Sequence, residues 1–182
     1  LNIIKEYHTL YNNIKDNHNY KEFDKSPEQI FNINISLEDY YNQNIKKINL
    51  PIMCKCYLCD KMYRKECLIC NGTIYYIKYK IFPIPLNEYE IRIKEEGNHM
   101  PNFKKAGDLI IYLEDKEHKN FRRIGGYNLL YTCKINFFNL MEQTNVLINH
   151  INKRKYMITL PRDNIICGDI VKLVDLGLPD HC

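Results

Sequence analysis

Cys56 and Cys59, and after them Cys67 and Cys70, form two C-x-x-C pairs within the stretch CKCYLCDKMYRKECLICNG, which runs from Cys54 to Gly72. A C-x-x-C turn brings two thiolates to one side of a metal, and a second such turn completes a tetrahedral set of four sulfurs. Four thiolates favour Zn²⁺ and leave it no open position for catalysis, so the expected centre is one structural ion. Cys54 is a nearby thiol that could replace Cys56. Disulfides in an oxidising compartment are the competing use of the chain's eight cysteines. Paired C-x-x-C turns point instead to metal in a reducing compartment, and the cytoplasm is the expected location. A redox role needs an exposed thiol of low pKa at a helix start in a βαβ setting, and no such setting flanks these cysteines. Cys133, on an alternating strand, and Cys167, in a turn, read as structural.

The rest of the chain offers little catalytic chemistry. Six histidines are scattered without a nucleophile beside them, and no Gly-rich phosphate loop precedes a helix. The formal charge of +4 falls short of the concentrated basic face of a dedicated nucleic-acid binder. No apolar run approaches the ~18–20 residues of a membrane span. The chain opens on Leu1 and not on Met, and reads as a fragment whose N-terminus lies elsewhere.

What positions the cysteines is β-structure on both sides. Residues 1–25 are polar and Asn-rich and read as an extension or linker, with Ile3, Tyr7, Leu10 and Ile14 spaced for a short helix. From Ser26-Pro27 onward, Phe31, Ile33 and Ile35 alternate with Asn32 and Asn34, the period of a half-buried strand. Ser36 is placed to cap a short helical turn, and Ile45–Leu50 predicts a strand broken at Pro51. After Gly72, Tyr75, Ile77, Tyr79 and Ile81 share one face, and Phe82, Ile84 and Leu86 then alternate on the other. Pro83 and Pro85 place that strand at an edge or beside a bulge. An edge strand offers unpaired backbone groups to an incoming peptide. Strands over Ile91–Ile93 and Asp108–Leu113 follow, then a charged linker and further strands over Leu129–Phe137, Val146–Ile151, Tyr156–Leu160 and Ile170–Val174. A helical turn is expected over Phe138–Gln143. The predicted fold class is all-β: two tandem antiparallel β-sandwich modules with a small four-cysteine, zinc-finger-like insertion in the first. The first module spans residues 26–115 with its insertion at 54–72, and the second spans 116–182 and is truncated at its end.

This order resembles the C-terminal peptide-binding region of the DnaJ-type co-chaperones, the J-domain proteins that carry zinc. The resemblance runs from about Gln29 to Pro179. Ser36-Leu37-Glu38-Asp39-Tyr40-Tyr41 resembles the family's S-L-E-E-x-Y segment, and Ile45-Lys46-Lys47-Ile48-Asn49-Leu50 its Lys-containing strand. Cys56 and Cys59 fall on its first cysteine motif, and Cys67-Leu68-Ile69-Cys70-Asn71-Gly72 resembles its last. Ala106-Gly107-Asp108-Leu109 resembles the P-G-D-L strand, His118–Arg123 the H-x-x-F-x-R hinge and Gly177-Leu178-Pro179 the G-x-P ending. The family has four cysteine motifs and two zinc sites. This chain keeps the outer pair alone, which implies one zinc, held by Cys56, Cys59, Cys67 and Cys70. Asp60 and Lys61 stand where the family has glycine after the first motif.

The resemblance implies a region that binds unfolded or client polypeptide in an apolar groove for delivery to a DnaK-type heat-shock chaperone. The family positions that grip an apolar substrate side chain fall on Ile48, Leu50, Phe82 and Ile111, with Ile30 or Phe31, taken as Phe31, from the first strand. No reaction is implied. The His-Pro-Asp triplet of a J domain is absent from this chain, and family dimerisation uses residues beyond its match. No nucleic acid or membrane partner is expected. Two rival readings come from the residues themselves. Lys78 and Lys80 interleave with Tyr75, Tyr76 and Tyr79 as in a zinc-ribbon nucleic-acid module. The other is a zinc-stabilised interaction domain with a closed groove.

Overall fold

The alternating segments fold as strands wherever their apolar face finds a partner. A computed structural model describes residues 22–42, 45–61, 65–136, 145–160 and 166–179. The elements are β1 (Phe23–Lys25), β2 (Gln29–Ile35), α1 (Leu37–Asn42), β3 (Lys46–Lys55), α2 (Tyr57–Lys61), β4 (Tyr75–Ile84), β5 (Glu90–Ile93), β6 (Phe103–Lys105), β7 (Leu109–Asp115), β8 (Phe121–Ile124), β9 (Asn128–Tyr131), β10 (Asn145–Asn149) and β11 (Lys155–Thr159). The described residues are therefore all-β apart from two short helices. None of their helices is long and apolar enough to cross a membrane. The helix expected near residues 3–14 and the turn expected over 138–143 lie outside the described residues.

Two compact units emerge, one from Leu1–Ile33 with Ile45–Leu113, the other from Asn34–Asn44 with Glu114–Cys182. The short segment around α1 thus groups with the later half of the chain and not with residues 26–115. The reason is local bonding. Lys116 N–H donates to Ile35 O at 2.8 Å, Arg123 stacks 4.1 Å over the Tyr40 ring, and Tyr41 meets His150 edge-on. Ser36 caps α1 as expected, its Oγ accepting the Asp39 N–H at 3.2 Å.

In the first unit, β3 and β4 form a long antiparallel ribbon, from Lys46↔Ile84 to Lys55↔Tyr75, while β2, β7 and β5 form a three-stranded sheet in that order. Ile52, Ile84, Leu109 and Ile111 are fully buried. Each contributes roughly 1.5–3 kcal/mol to folding by leaving water. Contrary to the expected break, β3 runs straight through Pro51, which faces Tyr79 across the ladder. A two-stranded ribbon has an unpaired edge on each strand, so a proline nitrogen can face outward without losing a ladder bond.

Residues 23–25, read from sequence as the end of a polar extension, form β1, which pairs in parallel with β6. Phe23 stacks on Phe103 at 5.3 Å between centroids. Lys25 Nζ donates to Asp108 Oδ1 at 2.6 Å, and Asp108 also accepts the Glu95 N–H at 2.9 Å. These donors, the lysine foremost, hold the Asp108 carboxyl below the usual carboxylate range, and Arg92 adds to the effect. A group whose folded pKa is depressed adds stability that is present above the unfolded value, about 3.9, and lost as pH falls through the folded one. Asp108→Asn should therefore be less stable than the parent at pH 7. The gap should close as pH drops below about 4, as read by thermal melts across pH. At Gly107 the Pro27 carbonyl passes so closely that an added Cβ would lie 1.9 Å from that oxygen. Gly107→Ala should cost at least about 2 kcal/mol in chemical denaturation.

The second unit holds two hairpins, β8–β9 and β10–β11. Phe121 is buried between them and packs near the rings of His118, Tyr131 and His150. His118 Nδ1 accepts the Phe121 N–H at 3.0 Å, and Arg123 pairs with Asp115, its Nε 2.9 Å from Oδ2. The H-x-x-F-x-R residues are thus a local cap and its anchor. The strand expected over Leu129–Phe137 stops at Tyr131. The strand expected over Ile170–Val174 does not form: these residues have no ladder partner among the described residues, and Ile170 and Val174 stand exposed.

Candidate metal clip and peptide-binding strands

The two C-x-x-C pairs close on one point. The ligand atoms of Cys56, Cys59, Cys67 and Cys70 lie within 4.8 Å of one another, and all four residues are buried. Cys56 Sγ lies 3.8 Å from Cys67 Sγ, and Cys59 Sγ 3.5 Å from Cys70 Sγ. A tetrahedral Zn–S bond of ~2.3 Å sets sulfurs about 3.8 Å apart, whereas a disulfide needs ~2 Å. None of the four forms a disulfide, and their spacing fits one metal ion. Cys54 is outside this set, its Sγ 3.7 Å from Ile52 O, so it does not stand in for Cys56.

Local structure explains how the clip forms without the family's glycines. The first pair sits at the start of α2, so the Asp60-Lys61 segment continues a helical turn and needs no left-handed residue. The second pair does need one. Asn71 and Gly72 adopt φ of 48° and 77°, and a Cβ on Gly72 would lie 2.5 Å from Lys65 O. Asn tolerates the left-handed region and Gly is indifferent to it, so the N-G dipeptide after Cys70 is the part of the motif that had to stay.

Backbone amides prepare the sulfurs. N–H groups of Cys70 and Ile69 point at the Cys67 sulfur and lower its pKa to about 6, against the smaller opposing effect of burial. That favours the thiolate, the form that binds metal. Sequence reasoning missed the residues that enclose the clip: Leu58, Ile69, Ile74 and Tyr76 pack against the four cysteines. Ile74 holds φ at 68°, a strained value for a β-branched side chain, while its carbonyl accepts the Cys56 N–H at 2.7 Å. Burial pushes the Tyr76 phenol up, helped by the nearby Cys54 and Cys56. No sequence signal marks Ile74 beyond its place at the end of the clip.

The predicted groove residues fall on two sheets. Ile48 stands directly opposite Phe82, with Leu50 one step along the same face of the β3–β4 ribbon. Ile111 lies in β7 and Phe31 in β2, neighbours in the three-stranded sheet. Leu50, Phe82 and Ile111 are buried, whereas Ile48 and Phe31 are half-buried. Ile30, the other first-strand candidate, is exposed. Each strand of the ribbon has one ladder neighbour among the described residues, and at Met53 the outer edge of β3 is bonded to Asn98 and His99.

A tandem β architecture with a four-cysteine clip let into its first unit agrees with what comparison of sequences returns. Residues 30–181 match the DnaJ C terminal domain, and the chain belongs to that family. Among curated relatives it is similar to the "DnaJ homolog subfamily A member 1 homolog" of Dictyostelium discoideum, 29% identical over 90 residues, 49% of this chain and 19% of that protein. It is also similar to the "Chaperone protein DnaJ" of Thermoplasma volcanium, 30% identical over 118 residues, 63% of this chain and 32% of that protein. The chain thus spans about a third or less of the length of these relatives.

Proposed function

We propose that this chain is the substrate-binding region of a DnaJ-like co-chaperone, which holds non-native polypeptide and passes it to a DnaK-type partner. The observation that carries the reading is the family match over residues 30–181, within which the four clip cysteines lie. In this reading a client segment lies along the ribbon edge and sets an apolar side chain against Ile48, with Leu50, Phe82, Ile111 and Phe31 forming the wall behind. The ion held by Cys56, Cys59, Cys67 and Cys70 is zinc. It would supply cross-linking of the two knuckles and no chemistry on the client. The J domain that engages the ATP-driven partner lies in another part of the full protein. The chain catalyses no reaction, and four thiols gathered at metal-binding spacing suit a reducing compartment such as the cytoplasm. The test is suppression of aggregation of a chemically unfolded client. The chain should suppress it, and Ile48→Ser should lose most of that suppression at a smaller stability cost than Phe82→Ala. Full suppression by Ile48→Ser would count against the groove.

A further inference from the structure

Among the residues that close the clip, Asn71 carries a reactivity of its own. Asn71-Gly72 is the chain's only Asn-Gly pair. The Thr73 N–H donates to Cys70 O at 2.9 Å, and both residues between them hold positive φ, the pattern of a type I′ turn. The Asn71 N–H donates to Cys67 O at 2.7 Å and ties this turn to the second knuckle. Of three successive amides, only the middle one, on Gly72, has no hydrogen-bond partner among the described residues. The Asn71 carboxamide has none there either, and it is exposed. Gly72 has no side chain to shield its nitrogen.

An unbonded glycine amide beside an unbonded asparagine carboxamide is set for one reaction. The Gly72 nitrogen gives its proton to solvent base and attacks Asn71 Cγ. A nitrogen–Cγ bond forms, and the side-chain nitrogen leaves as ammonia. Water then opens the cyclic imide at either carbonyl. One opening leaves an aspartate, and the other an isoaspartate whose main chain runs through Cβ and Cγ. Water is consumed and ammonia released, with no change of oxidation state.

Closure of the imide needs Asn71 to rotate about ψ and χ1 until Cγ lies over the Gly72 nitrogen. In the closed clip the hydrogen bonds to Cys67 O and Cys70 O hold that ψ, and Lys65 O packs against Gly72. Once the sulfurs part, nothing in the turn opposes the rotation. The isoaspartate then adds a carbon to the main chain directly after Cys70. That lengthens the span bridged by the Thr73 N–H and turns the Cys70 sulfur away from its three partners.

We propose that Asn71 is a modification site gated by the metal. Zinc holds it in a turn that does not cyclise, and loss of zinc lets it deamidate, after which the clip no longer refills. The inference rests on the zinc reading of the clip and adds a time limit to it, because the empty state is recoverable while fresh and lost once aged.

The test holds the whole chain zinc-loaded and chelator-treated, side by side, under reductant in mildly alkaline buffer. Peptide mapping by mass spectrometry follows the fragment that bears Asn71, and enzymatic methylation of isoaspartyl groups measures the rearranged product. Deamidation at Asn71 should run at least about tenfold faster in the emptied chain, because in the loaded one it waits on local opening. Zinc added back at intervals should refill a shrinking fraction of chains, in step with the rise of isoaspartate. Asn71→Gly, which takes the left-handed region freely, should load zinc like the parent and refill fully after the same ageing. Equal rates in the loaded and emptied chains would overturn the proposal, as would an Asn71 that stays intact while other asparagines react. Refilling that stays complete as isoaspartate accumulates would also overturn it. So would an Asn71→Gly chain that loses its refilling as fast as the parent, since the damage would then lie elsewhere. The rate comparison uses the parent chain alone and stands whether or not the variant folds. A parent chain that takes up no zinc at the outset would sink the clip reading itself.

Discussion

Stripping the ion from the Cys56–Cys59–Cys67–Cys70 clip is expected to unravel the segment between β3 and β4 and to release one zinc per chain. In zinc-finger peptides the metal supplies about 10–16 kcal/mol of folding free energy at neutral pH. Here the clip has little else to hold it. Its two knuckles are a single helical turn and an Asn-Gly turn, and the side chains enclosing it are Leu58, Ile69, Ile74 and Tyr76. The strained φ of Ile74 is tolerated while Cys56 N–H binds its carbonyl, and should relax once the sulfurs part. A chelator titrated against the reduced chain, with a colorimetric zinc readout and circular dichroism in parallel, measures both effects. Cys67→Ser should reproduce them without chelator, since it removes the sulfur on which the Cys70 and Ile69 amides converge. Cys54→Ser should change neither, because its sulfur lies outside the cluster. Zinc that stays bound in Cys67→Ser would contradict the four-sulfur assignment.

The second large effect separates gripping from packing. Phe82 is 7% exposed and Leu50 is 5%, so each is part of the core as well as a wall of the proposed groove. Phe82→Ala should cost about 3–5 kcal/mol, the usual penalty for emptying an aromatic site. Client binding would fall with it for reasons that say little about the groove. Ile48 is the cleaner probe. It stands opposite Phe82 in the ladder yet keeps part of its surface in water, so Ile48→Ser should cost less than Phe82→Ala. Chemical denaturation of both variants beside their peptide affinities tells the two effects apart. A large stability loss in Ile48→Ser would mean that its side chain belongs to the core and not to a binding surface.

Much of this was legible in residue types and spacing, and the limits have physical causes. The two C-x-x-C pairs announced their convergence because each needs only a local turn, and a metal supplies the rest. The alternation in β2 and β4 gave strands and faces correctly, since side chains on a strand switch sides at every residue. Alternation gives the side and not the depth. It put Ile77, Tyr79 and Ile81 on one face but could not tell that this face would stay open while the other closed over Phe82 and Ile84. Three-residue strands such as β1 and β6 have too short a pattern to read, and their pairing joins residues far apart in the chain. Pro51 read as a break because an inner strand would not admit it, and only the ribbon's open edge makes it harmless. Ile170–Val174 alternates well enough for a strand, but a strand also needs a neighbour, and among the described residues none lies beside it.

If the cysteines hold and the sheet grips, a bound client should leave its mark on the ribbon and not on the clip. Amide hydrogen exchange on the zinc-loaded chain, with and without a saturating unfolded client, tests this most directly. Protection should rise along the outer edges of β3 and β4, around Ile48 and Phe82, while the amides of Cys56 and Asn71, already bonded inside the clip, exchange as slowly as before. Client-induced protection confined to the cysteine clip, with the ribbon unchanged, would contradict the account.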